Sequence, residues 1–446
     1  MFLMTIYALS SGPGLAGISV IRVSGNNTKE IISKLTVKKL PKPRVATKRK
    51  FVKIKDNEVI DEGILIWFPA PNSYTGEDMA EFHVHGSRAV VNAIHALISE
   101  IDGCRLAEPG EFTKIAFQNG KLNLLKAESV SDLISSETEI QRQQAIKIMS
   151  GKSSDKFNSL RQRLLKILAN VEAKIDFPED DLPDDILQDI HFQTENIKDE
   201  IKKILNDQKV GERIREGFKI AIVGPTNAGK SSLMNYLSKR DIAIVSEIAG
   251  TTRDVIEAHL NIDGYPVVVS DTAGIRVANN EIEKKGIKLA LDKADSADLN
   301  IIVLEPKSVD FTRYLDGLLS KNAIILVNKS DLGVDTIDQE IKKHNPIYIS
   351  IKEEKNLDKL INLIKGNLKN KFISSEDIFI TRQRHRNNLE KCVESLENFI
   401  KKKSKDDFDK AAEDLRLATR YLGMIVGKVD VEEILGSIFS DFCIGK

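Results

Sequence analysis

The chain has 446 residues, which at roughly 150 per domain predicts about three domains. Lys plus Arg and Asp plus Glu each total 66, and the resulting zero formal charge disfavours a nonspecific polyanion binder; RNA work through a local patch stays open. The 41% hydrophobic content, three widely spaced cysteines (Cys104, Cys392, Cys443) and apolar runs far below the roughly 20 residues of a membrane helix argue against wholesale disorder, a disulfide framework and a membrane span.

The opening segment 1–17 is broken by Gly12, Pro13 and Gly14 and precedes the first basic residue, Arg22, so neither a secretory signal nor a transit peptide is expected and a cytoplasmic location is. Residues 1–118 mix short alternating runs with turn signals. Within them 18–23, 51–54, 64–68 and 79–84 predict strands, and 29–35 and 89–101 predict helices, giving a small α+β domain. Over 119–215 glycine and proline thin out, and Leu160, Leu164, Ile167, Leu168, Val171 and Ile175 recur at helical spacing, with a break at the acidic stretch 177–185. Over 216–372 the pattern becomes βα: strands at 219–223, 267–269, 301–304, 323–327 and 347–349 alternate with helix-length polar stretches, as a mostly parallel sheet requires. Residues 373–446 return to helix through Leu389, Val393, Leu396, Ile400, then Leu415, Ala418, Leu422 and Ile425. The lysine-rich run 401–405 reads most simply as a solvated helix face, with an RNA or partner contact the alternative.

Gly224-Pro225-Thr226-Asn227-Ala228-Gly229-Lys230-Ser231 follows the strand at 219–223 and precedes a helical pattern, which is G-x-x-x-x-G-K-[ST] in its strand, loop and helix setting. Asn227, Ala228, Gly229, Lys230, Ser231 and Ser232 are therefore candidate nucleotide contacts. Backbone N–H groups face phosphate, Lys230 neutralises the β and γ oxygens, and Ser231 ligates Mg²⁺. Asp271-Thr272-Ala273-Gly274 closes a second strand, where Asp271 can hold the Mg²⁺ shell and the Gly274 amide can meet the γ-phosphate. Gly250-Thr251-Thr252-Arg253-Asp254 offers a hydroxyl, best Thr252, as a second metal ligand. Asn328-Lys329-Ser330-Asp331 decides the base, because Asp331 accepts from guanine N1 and N2, groups adenine lacks; the nucleotide is expected to be GTP. Ser350-Ile351-Lys352 matches a guanine-supporting S-A-K in part, with Ile351 for alanine.

Ile275 stands where Ras-like enzymes carry a water-orienting glutamine, so the catalytic group must come from elsewhere. Glu281 and Glu283 are the nearby carboxylates, with Glu283 the candidate. Arg253 and Arg276 are candidate arginine fingers or ordinary surface ion-pair partners, and Asn227 suggests a monovalent cation beside the phosphates instead.

The phosphate loop with Asn227, the 250–254 segment, Ile275, the stretch Asn72-Ser73-Tyr74-Thr75-Gly76-Glu77-Asp78 and the terminal Cys443-Ile444-Gly445-Lys446 together resemble the MnmE (TrmE) family of tRNA-modification GTPases. The resemblance runs the length of the chain. It implies a multidomain α/β plus α fold: an N-terminal α+β tetrahydrofolate-binding and dimerisation domain (1–118), a discontinuous helical domain (119–215 and 373–446) and an inserted Ras-like P-loop GTPase domain (216–372). It further implies a homodimer whose paired GTPase domains hydrolyse GTP around K⁺ held by Asn227, Ser246, Ile248 and Thr251, with Glu283 catalytic. An MnmG (GidA)-type flavoprotein partner would bring the FAD. Together they would add a carboxymethylaminomethyl or aminomethyl group to C5 of the wobble uridine of certain tRNAs, from a 5,10-methylene-tetrahydrofolate unit. Arg22, Glu81, Lys121 and Lys446 are the implied contacts for that folate or its 5-formyl analogue: Arg22 and Lys121 on the glutamate carboxylates, Glu81 on the pterin N–H groups.

Cys443 has either a part in the modification or a packing role; a prenylation box is rejected on Gly445 and Lys446. His83 and His85, two apart on a strand, read better as a polar strand face than as metal ligands. The rival function is an Era- or Der-like ribosome-assembly GTPase switch without folate chemistry, which leaves the N-terminal domain and the Cys443–Lys446 tail unexplained.

Overall fold

The computed structural model describes residues 4–176, 184–225, 227–239, 256–271, 292–306, 322–333, 339–372, 378–402, 408–429, 435–436, 438–439 and 442–445. The chain falls into two compact units, one of Met1–Ser131, Met149–Glu172 and Leu415–Lys446, the other of Asp132–Ile148 and Ala173–Asp414.

The first unit is built on a sheet ordered β3-β4-β5-β2-β1-β6, from strands β1 Thr5–Leu9, β2 Ala16–Ser24, β3 Thr47–Val52, β4 Val59–Phe68, β5 Met79–Gly86 and β6 Cys104–Leu106. Alternation along these strands sends Ile21, Val23, Phe51, Leu65, Phe82 and Val84 to one face, where the helices Thr28–Thr36 and Arg88–Ser99 cover them with Ile31, Ile32, Leu35, Ile94 and Ile98. Ser87 caps the second of these helices by accepting from Val90 N at 3.2 Å. The opposite face carries Arg22 and Glu81, cross-strand partners in the antiparallel β2–β5 ladder. Farther along, Leu124, Ala127, Leu435, Phe439 and Phe442 form a separate apolar cluster.

The second unit holds the sheet β12-β11-β10-β7-β9-β8, from β7 Phe218–Val223, β8 Ile256–Ile262, β9 Tyr265–Asp271, β10 Leu299–Leu304, β11 Ala323–Val327 and β12 Ile347–Tyr348. All its pairings are parallel except the edge pair β8–β9. Its central strands are apolar on both faces. Ile220, Ile222, Ile301 and Val303 enter one cluster, while Ala221, Val223, Ile302 and Leu304 enter another, the double burial that a sheet covered on both sides demands. The helices Asp184–Leu205 and Gln383–Lys401 of this unit pack together.

Candidate functional site

Parallel pairing aligns the carboxyl ends of the strands in the second sheet, the edge where open α/β sheets bind ligands. β7 runs into the phosphate loop, β9 ends at Asp271, β10 ends beside Glu305, β11 ends one residue before Asn328, and β12 ends two residues before Ser350. The sequence motifs thus meet because each terminates a strand of one sheet.

Within the loop, Asn227 stands exposed with φ +62°, and Gly229 has φ +101°. A Cβ on Gly229 would lie 2.2 Å from Asn328 Nδ2, so this close approach requires glycine. Lys230 opens the helix Lys230–Lys239, and its ammonium donates to Gly224 O at 2.8 Å and Pro225 O at 2.7 Å. Burial pulls that ammonium below the usual lysine value, while the Asp271 charge acts the other way. A buried cation bent over the loop fits a ligand that brings its own negative charge. The Ser231 hydroxyl donates to Asp271 Oδ2, an all-oxygen pair of the kind Mg²⁺ takes. Ser232 is exposed in the same first turn.

One side chain joins three motifs. Asn328, buried, donates to Ala228 O at 2.8 Å in the phosphate loop and accepts from Ile351 N at 3.2 Å in the last motif. Lys329 pairs with Glu305 at 2.6 Å, a contact that no spacing in the sequence announces. Asp331 is exposed, and a hydrogen bond from the buried Ser350 holds its carboxyl below the usual range. A carboxylate kept ionised at the rim suits the N1 and N2 donors of guanine.

A second polar cluster lies on the first unit. The β2–β5 register sets Arg22 against Glu81, with Nη2 3.0 Å from Oε1. The guanidinium carbon lies 5.6 Å from the Tyr74 ring centre and 5.7 Å from that of Phe112. Burial pushes the Tyr74 hydroxyl up, against the opposing hydrogen bond with Thr113. The chain's tail reaches this place: Gly445 O accepts from Ser10 Oγ at 2.8 Å and from Arg22 Nη1 at 3.4 Å. Ile444 bridges Pro109, and Gly110 N donates to Cys443 O at 3.4 Å, leaving Cys443 itself exposed. Arg22 and Glu81, which the resemblance assigns to different parts of the folate, form one ion pair. Lys121, exposed, lies against Gly76 in the loop that carries Tyr74. His83 and His85 turn to different carboxylates, Glu81 at 3.5 Å and Asp61 at 2.7 Å.

The family described as "MnmE helical domain" matches residues 124–443, and "GTP-binding protein TrmE N-terminus" matches residues 5–121. The chain belongs to the MnmE family. Among its relatives, the tRNA modification GTPase MnmE of Pelagibacter ubique is 69% identical over 443 residues, covering 99% of this chain and 100% of the relative. The MnmE of Rickettsia bellii is 44% identical and that of Rickettsia akari 43%, each over 446 residues with 99% and 100% covered.

Of the residues the MnmE resemblance implies, Ser246, Ile248, Thr251, Thr252, Thr272, Ala273, Gly274, Glu283 and Lys446 lie outside the described residues, as do Arg253, Ile275, Arg276 and Glu281. Tyr74, Phe112, Ser10 and Glu305 were missed. Tyr74 lies in the 72–78 stretch quoted above for the resemblance and Phe112 on the helix Glu111–Gln118; only the fold shows that both rings flank Arg22. Among the described residues no helix is long and apolar enough to cross a membrane.

Proposed function

We propose that this MnmE-family chain is a K⁺-stimulated GTPase that works with an MnmG (GidA)-type flavoprotein to add a carboxymethylaminomethyl or aminomethyl group to C5 of the wobble uridine in certain tRNAs. The one-carbon unit comes from methylene-tetrahydrofolate, the FAD belongs to the partner, and the protein acts as a cytoplasmic homodimer. The division into 1–118, 119–215 with 373–446, and 216–372 is part of this reading.

The observation that carries it is the docking of the tail, through Gly445, onto Arg22 of the N-terminal sheet, in a chain that also bears a complete guanine-nucleotide motif set. A ribosome-assembly switch has no use for such a second pocket. There, Glu81 accepts from pterin N–H groups, Arg22 fixes that carboxylate and meets the pterin's carbonyl side, Tyr74 and Phe112 supply flat apolar faces, and Lys121 with Lys446 takes the glutamate carboxylates. Cys443 stands next to this pocket.

At the nucleotide site, Lys230 and the loop amides of Asn227, Ala228 and Gly229 hold the β- and γ-phosphates, and Ser232 extends that contact along the helix start. Thr272, Ala273 and Gly274 border the γ-phosphate, and Asn328, Lys329, Asp331 and Ser350 hold guanine. Ser231 and Thr252 would hold Mg²⁺, and Asn227 with Ser246, Ile248 and Thr251 would hold K⁺; both cations supply positive charge to the phosphates. Glu283 orients the attacking water.

Mass spectrometry of wobble uridine in tRNA from cells lacking the protein tests the function, with loss of the C5 substituent expected. Equal GTP turnover in K⁺ and Na⁺ would remove the cation assignment. Full turnover in Glu283→Ala would move catalysis to another group, Glu281 first.

A further inference from the structure

A groove of about 1010 Å³ lies within the first unit, between the end of the helix Glu111–Gln118 and the helix Phe408–Val426. Of its described lining residues four are cationic, Lys121, Lys126, Arg420 and Lys428, and none is acidic. Four cationic side chains along one groove suit an anionic ligand.

The groove shares Lys121 with the surroundings of the proposed folate site. Tyr74, whose ring lies beside Arg22, and Gly76, which lies against the Lys121 side chain, belong to one loop. In the folate reading Lys121 meets the glutamate end, and Lys126, Lys428 and Arg420 line the same groove.

A buried polar atom adds an independent observation. Asn158 Oδ1, in the groove wall, has no hydrogen-bond partner. It is an acceptor, which an amide N–H would satisfy.

We infer that this groove is a subsite for the γ-linked polyglutamate tail of a reduced folate. Each added γ-glutamyl unit brings one carboxylate for a cationic side chain, and its amide N–H suits the orphaned Asn158 Oδ1. The inference rests on the folate reading above. An RNA strand suits the groove less well, because the one aromatic among its described lining residues, Phe117, packs against the apolar cluster of Leu124 and Phe439 and offers no stacking platform.

The test titrates the full-length protein with 5-formyl-tetrahydrofolate as the monoglutamate and as the tri-γ-glutamate. Two added, partly exposed ion pairs predict that the triglutamate binds on the order of tenfold tighter at low salt. That advantage shrinks as salt rises. Lys126→Ala combined with Lys428→Ala should remove most of it; because the ratio of the two affinities is taken on one sample, partial misfolding does not imitate the loss. Equal affinity for both forms overturns the subsite and leaves the folate pocket standing, whereas binding of neither form overturns both. A ratio that survives the double substitution also overturns the subsite, and a concurrent loss of tRNA retention on filters would make the groove an RNA surface.

Discussion

The Ser231 hydroxyl donates to Asp271 Oδ2 at 2.8 Å, joining the start of the helix after the phosphate loop to the end of the neighbouring parallel strand. Asp271 is only 1% exposed, so its charge acts on this pocket and on little else. Asp271→Asn keeps the shape and removes the anion that orients the Ser231 oxygen. We expect the apparent Mg²⁺ affinity of the nucleotide complex to fall on the order of 10–100-fold, while Mg²⁺-free nucleotide binding changes little. A Mg²⁺ titration of a fluorescent guanine nucleotide reads this, and an unchanged midpoint would place the cation away from Asp271.

Asp331 makes a sharper prediction about the base. Its carboxylate is held ionised by Ser350 and accepts from two guanine donors in this reading, so Asp331→Asn turns one acceptor into a donor. Xanthine, which carries a carbonyl where guanine has its amine, then becomes the matching base. We expect preference to move from GTP toward xanthosine triphosphate by roughly 100-fold, as two hydrogen bonds to a charged group predict. Competition between the two nucleotides measures it; retained guanine selectivity would show that another group reads the base.

The nucleotide motifs were legible because each is local: a strand, a glycine-bearing turn and a helix start leave their marks within a few residues. The apolar runs of β7, β10 and β11 were legible for the same reason. Strands β1 and β6 were not, the second being only three residues long, and the charged and polar residues of edge strand β8 hid its pairing. The tail contact between Ser10 and Gly445 spans 435 positions, and the Arg22–Glu81 pair spans 59. Such pairings leave no periodic trace. For the same reason residue type alone suggests separate roles for Arg22 and Glu81, and only the β2–β5 register shows that they form an ion pair.

Arg386 illustrates the same non-local order with a consequence for stability. Its guanidinium, 6% exposed, donates to Glu212 Oε2 at 2.8 Å, to Asp207 Oδ1 at 2.6 Å and to Leu205 O at 2.9 Å, linking the helix Gln383–Lys401 to the segment that leads into β7. Arg386→Met leaves the Glu212 carboxylate buried without its cation, which costs about 3–5 kcal/mol. Adding Glu212→Leu removes the stranded charge and should recover most of the loss. Chemical denaturation of the three proteins checks this; equal stability of the single variant and the parent would mean that solvent already compensates Glu212.

His95 predicts a pH dependence for the first unit. Its ring meets Tyr7 edge-on at 5.3 Å, Nε2 is buried without a hydrogen-bond partner, and burial pulls its pKa below the ordinary 6.5. The unfolded chain therefore binds a proton at a higher pH than the folded one. Above about pH 6.5 both states are neutral there and His95 adds no pH dependence, whereas below it stability falls until the folded pKa is passed, with a slope of at most about 1.4 kcal/mol per pH unit. His95→Phe keeps an aromatic ring against Tyr7 and removes the titration. Because the chain has one tryptophan, Trp67 in β4, its fluorescence follows unfolding of this unit. Between about pH 7.5 and about 5.5 the parent should lose more stability than His95→Phe, a difference in which the other histidines cancel. Parallel curves for the two proteins would show that the histidine gains a partner on protonation and that its burial is no barrier to charge.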